Sequence, residues 1–161
     1  MKKILILFLV LFIVACKSKK LSTTPTAEVE SIEVKRFESL NLKDVVSYKK
    51  NRAYELGKRL METCNTSKFK SFNTSEATES VIKNATIEKI SSTCQKINMR
   101  NGKFIDLNLM EVVIDNQTND LIFKYDIKYE KKYYQRELKI TINNDNKVSS
   151  ISTKEVAKKP M

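Results

Sequence analysis

The sequence predicts an α+β fold, with N-terminal helices packed on one face of a curved antiparallel four-stranded meander sheet. Three observations predict it. Between Asp44 and Cys64 the apolar residues recur at a helical period. Between Leu121 and Tyr129 they alternate at the strand period. The helical stretches all precede the strand-like ones, and that segregation leaves helices to cover one side of a sheet. At 161 residues a single domain is expected.

The helices come first. Ala53, Leu56, Gly57, Leu60, Met61 and Cys64 fall on one face of an amphipathic helix. Lys49, Lys50, Arg52, Glu55, Lys58, Arg59 and Glu62 lie mostly on the other. Asn65-Thr66-Ser67 reads as its stop. Phe69 and Phe72 follow in a short turn and plug the edge of the core. Thr74 or Ser75 reads as the cap of a second helix, with Glu76 and Glu79 in its first turns, where negative charge suits the helix dipole. Ala77, Val81 and Ile82 form its apolar side. Thr86 reads as the cap of a third helix carrying Ile87, Ile90, Cys94 and Ile97.

The period changes near Gly102. Phe104 to Ile114 is rich in Ile, Leu and Val and reads as a strand with a bulge near Met110. Asn116 to Asp120 makes a turn. Leu121, Phe123, Tyr125, Ile127 and Tyr129 then form one face of the second strand. Leu138, Ile140 and Ile142 alternate with Glu137, Lys139 and Thr141 in the third. Asn144-Asp145-Asn146 is a tight turn, since Asn and Asp tolerate positive φ. Val148 to Thr153 is the fourth strand.

The N-terminus carries a different signal. Met1-Lys2-Lys3 is basic, and Ile4 to Ala15 is an unbroken apolar run. A run of this length is too short to span a bilayer core, which needs roughly 20 residues. It has the proportions of a signal peptide. It ends in Ile13-Val14-Ala15-Cys16, followed at once by Lys17-Ser18-Lys19-Lys20. This stretch resembles a bacterial lipoprotein signal with its lipobox. The resemblance implies cleavage after Ala15 and acylation of Cys16, with palmitate-like chains holding the protein on a membrane. Two or more chains are needed to hold firmly. In such proteins an Asp after the Cys often marks inner-membrane retention. Lys17 stands there, so the outer membrane is implied in a diderm cell. Losing Lys2 and Lys3 takes the formal charge from +11 to +9.

The domain plan follows: signal peptide 1–15, lipidated Cys and tether 16–42, α+β domain 43–154, basic tail 155–161. The tether is rich in Ser, Thr and charge and cannot bury enough surface to order itself. Val29, Ile32, Val34, Phe37 and Leu40 are the exceptions. They dock on the domain as a short helix or strand, or stay free. The order of helices, with Asn101-Gly102-Lys103-Phe104 opening the long strands, is similar to the nuclear-transport-factor-like (cystatin-like) superfamily, which includes small bacterial lipoproteins. The similarity covers about residues 45–153 and rests on element order. It implies a fold, and that fold hosts enzymes, binding modules and inert scaffolds alike.

Composition narrows the chemistry. The chain has no His, removing the usual general base and metal ligand. Two Gly cannot supply a phosphate loop or a dinucleotide fingerprint. No catalytic residue, metal site or cofactor is expected. Glu111, Asp115, Asp126 and Glu130 read as solvated strand charges. Asp106 is the acidic residue within an apolar stretch, and so the candidate for an enzyme acting through one buried carboxyl of raised pKa. With Cys16 lipidated, Cys64 and Cys94 remain on the inner faces of neighbouring helices. They form a disulfide, or pack as two buried thiols.

Tyr125, Tyr129, Tyr133, Tyr134 and Arg136, with Lys131 and Lys132, cluster around one hairpin. They form a candidate surface for an anionic glycan, an anionic lipid or an envelope protein. The alternative puts Tyr125 and Tyr129 in the core. Nucleic acid is not expected in this compartment. The function expected is a membrane-anchored, extracytoplasmic, non-enzymatic binding module that uses the concavity between helices and sheet, or the exposed sheet face, to bind an envelope partner. The alternative is a small-ligand or enzymatic domain with a pocket between helices and sheet. Recognition by sheet-edge pairing is a third possibility, favoured by an unpaired edge strand.

Overall fold

The computed structural model describes residues 35–156. The signal peptide, Cys16 and the tether up to Val34 lie outside the described residues, as does the tail beyond Val156. The described chain is α+β. Its elements are β1 (Phe37–Leu40), α1 (Ser47–Thr66), α2 (Glu79–Asn84), α3 (Ile87–Asn101), β2 (Phe104–Asp115), β3 (Asp120–Tyr129), β4 (Gln135–Ile142) and β5 (Val148–Val156). The strands form one open antiparallel sheet in the order β1-β2-β3-β4-β5.

The sheet therefore has five strands where four were expected. The extra one is β1. Phe37 to Leu40 pairs with Asp115 to Val112 at the end of β2. Four residues with two apolar side chains are too short to betray a strand by alternation alone. Asn116 holds the entry to β1: its N–H donates to the Arg36 carbonyl at 2.7 Å and its Nδ2 to the Lys35 carbonyl at 2.8 Å. The domain thus begins before residue 43, and β5 carries it to Val156.

The rest follows from side-chain direction. Leu121, Phe123, Tyr125, Ile127 and Tyr129 are buried against the helices, with Leu138, Ile140 and Ile142 from β4 and Val112 from β2. The bulge falls at Met110, where the β2–β3 register shifts between Leu109 and Glu111. It lets Leu109 and Val112 both serve the core. Further register shifts lie near Phe104 and near Thr141. Bulges bend and twist strands.

Helix α1 lies tight on this sheet because Gly57 has no side chain. A Cβ there would come 2.5 Å from Ile140 Cδ1, 3.1 Å from Leu138 Cδ2 and 3.2 Å from Leu107 Cδ1. Helix α3 begins where expected, with Thr86 Oγ1 accepting from the Lys89 N–H at 3.4 Å. It ends at Gly102, whose φ of 74° a side chain would strain. Helix α2 starts later than expected. Thr74 and Ser75 form a turn closed by Asn73, whose Oδ1 accepts from the N–H groups of Ser75 and Glu76. An Asn side chain mimics a backbone turn in this way. The chain then runs extended, and Ala77 bridges to Val148 before α2 begins at Glu79.

Candidate functional site

Cys64 on α1 and Cys94 on α3 are joined in a disulfide, with their Cα atoms 4.8 Å apart. Asn98 adds a second tie, its Nδ2 donating to the Cys64 carbonyl at 2.6 Å. Helix α3 is thereby fastened to α1 rather than pressed on the sheet. The strand facing it, β5, offers little to press against. Its Val148-Ser149-Ser150-Ile151-Ser152-Thr153 run has one large side chain after Val148.

A groove of about 340 Å³ results, bounded by α1, α2, α3 and β5. Met61, Val81, Ile97 and the disulfide are buried at its floor, and Ile90 and Ile151 are half-buried on its walls. Hydroxyls of Ser80, Thr93, Ser149 and Thr153 stand among them. Lys89 is the sole charged residue in the lining, and its Nζ donates to Asn84 Oδ1 at 3.2 Å. Among the described residues no carboxylate lines the groove.

One end of the groove is fixed by the extended segment before α2. The Val148 N–H donates to the Glu76 carbonyl at 2.9 Å, and the Thr78 N–H donates to the Val148 carbonyl at 2.9 Å. Arg59 holds that segment with a two-pronged contact to Glu76, at 2.9 and 2.8 Å. Its guanidinium also lies 4.9 Å from the Phe72 ring centre. Arg59 holds the Glu76 carboxyl below its ordinary pKa.

The five hairpin residues singled out from the sequence do not form one surface. Tyr125 and Tyr129 are 1% and 5% exposed and belong to the core. Burial pushes the Tyr129 hydroxyl up to about 12 and raises that of Tyr125 as well. Arg136 pairs with Ile127 across the sheet and so faces the helices. Its guanidinium donates to Thr153 Oγ1 at 3.2 Å and lies 3.7 Å from the Glu155 carboxylate. Tyr133 alone is freely exposed, at 77%. Tyr134 is half-covered by the Arg100 guanidinium, 4.2 Å from its ring centre. Tyr134 also lines a second basin of about 510 Å³ with Ile105, Lys128, Lys131 and Lys132.

Asp106 lines neither the groove nor the basin. It is half-buried and accepts a hydrogen bond from the Tyr54 hydroxyl at 2.8 Å. That bond lowers its pKa. Glu76, Glu88, Glu111 and Asp115 are lowered too, each by a donor that favours the charged form. Among the described residues no group of three or more Cys, Asp or Glu is placed to hold a metal ion. Nor is any described helix long and apolar enough to cross a membrane.

The large apolar helix residues of the groove were named from the sequence as inner-face residues, but its β5 wall, Thr93 and Lys89 were missed because none is conspicuous in sequence. The signal that would have found them is the serine-rich last strand, whose small side chains cannot fill the space under a helix. No family model matches the chain, and neither does any curated protein or solved structure.

Proposed function

We propose that the protein is a membrane-anchored, extracytoplasmic lipoprotein whose domain is a non-enzymatic binding module, with the groove beside β5 as its binding site. The observation that carries the binding role is the groove itself: apolar at its floor, hydroxylated at its rim, and, among the described residues, free of carboxylates. Such a lining can hold a partner by burial and hydrogen bonds, and Lys89, its titratable side chain among the described residues, is engaged with Asn84 Oδ1. The lipobox at Ile13-Val14-Ala15-Cys16 supports the anchor. Three helices on one face of a bulged antiparallel sheet support the cystatin-like reading of the fold.

Two experiments test this reading. Cells fed labelled palmitate incorporate it into the wild-type chain and not into Cys16→Ser; an unlabelled wild type overturns the anchor. A photo-crosslinking residue at Thr93, in the groove, captures an adduct in intact cells, whereas one at Tyr133 does not. Adducts at Tyr133 alone would move the site to the exposed hairpin between β3 and β4.

A further inference from the structure

We infer that the groove receives an extended peptide segment that adds to the outer edge of β5, apolar at alternate positions and acidic at its flank. This rests on the reading of the groove as the binding site and names its occupant. Five consecutive residues, Ser149 to Thr153, line the groove. Successive side chains on a strand point to opposite faces. One groove can touch all five only by running along the strand's edge, where the backbone itself is the wall.

That edge is available. Among the described residues, Ser150 to Val156 pairs only with β4. Its outward N–H and C=O groups need partners that an acyl chain lacks and an extended peptide supplies. The edge already binds such a segment once. Glu76 and Thr78 take both backbone groups of Val148, after which the chain coils into α2, which lines the groove opposite β5. An incoming segment continues that line, with apolar side chains over Ile90, Ile97 and Val81. Charge sets the flank: among the described residues Lys89 is the one charged residue in the lining, and no carboxylate of the lining repels an acidic partner beside it.

The test is selection of displayed random heptapeptides on the full chain with its disulfide intact. Selected peptides should alternate apolar residues and carry acidic ones. Their affinity should fall at least tenfold for Ile90→Arg. Lys89→Glu, an exposed substitution on the helix surface, should leave the melting temperature unchanged and abolish the acidic preference. Failure to enrich any peptide overturns the inference. Sodium dodecanoate is the probe for a small amphiphile. If it binds in an Ile90-dependent way and no peptide does, the groove remains the site but the peptide assignment is wrong. Peptides that bind Ile90→Arg and Lys89→Glu undiminished overturn both.

Discussion

The two sides of the helical layer are packed differently. Under α1 the sheet is sealed: Gly57 brings the helix into contact, and Phe123, Leu138, Ile140 and Val112 are fully buried beneath it. Beside α3 the sheet is open, because a disulfide fastens that helix to α1 and β5 supplies serines in place of bulky residues. Both helices have an apolar stripe of similar period. What separates a core from a groove here is the size of the residues across from the stripe.

The comparison can be broken at either side. The largest expected effect is in the sealed half. Phe123→Ala should lower stability by about 3–5 kcal/mol, read by denaturant unfolding. Removing the disulfide with Cys64→Ala and Cys94→Ala should cost roughly 3–4 kcal/mol on the chain-entropy model. It should also speed amide exchange in α3 far more than in β3 or β4. Uniform loosening would mean that α3 is held by the sheet after all.

Gly57→Leu forces side chains apart under α1 and should cost about 1–3 kcal/mol. An equal increase in size at Thr93, on the groove, should cost far less. Glu76→Gln should cost about 1 kcal/mol at pH 7, since it weakens the half-buried contact with Arg59. The folded Glu76 pKa is depressed, so its contribution is present above the unfolded range of about 4. It is lost as pH falls through the folded value. The gap between wild type and Glu76→Gln should therefore close in acid. The smallest effect belongs to Tyr133→Ala, within about 0.5 kcal/mol of wild type. Arg136→Ala should be clearly worse, because its guanidinium bridges β4 to Thr153 and Glu155.

Periodicity made much of this fold legible. The α1 stripe, the Thr86 cap, the Met110 bulge and the alternation in β3 are local patterns, and each appears where the residues place it. The bridging of Cys64 to Cys94 follows from two inner faces meeting. Strand β1 was not legible, because its pairing depends on β2, 72 or more residues away. The tyrosine surface failed for a specific reason. Neighbours in sequence were grouped as neighbours in space, although alternation puts Tyr125 and Tyr129 on the buried face. Arg136 joins them there because it pairs directly with Ile127. A space between helices and sheet was expected, but its place beside β5 was illegible because it arises from what is small and from how α3 is tied. Neither is a property of a single segment.

The outer edge of β5 stands open beside the groove. Hydrogen exchange on the oxidised full-length protein, read amide by amide, tests it without knowing the partner. The account predicts slow exchange through α1, β3 and β4, protection of Val148, and fast exchange at the alternate amides between Ser150 and Val156. Unbroken protection along the whole of β5 would contradict it, because the edge would then already be covered.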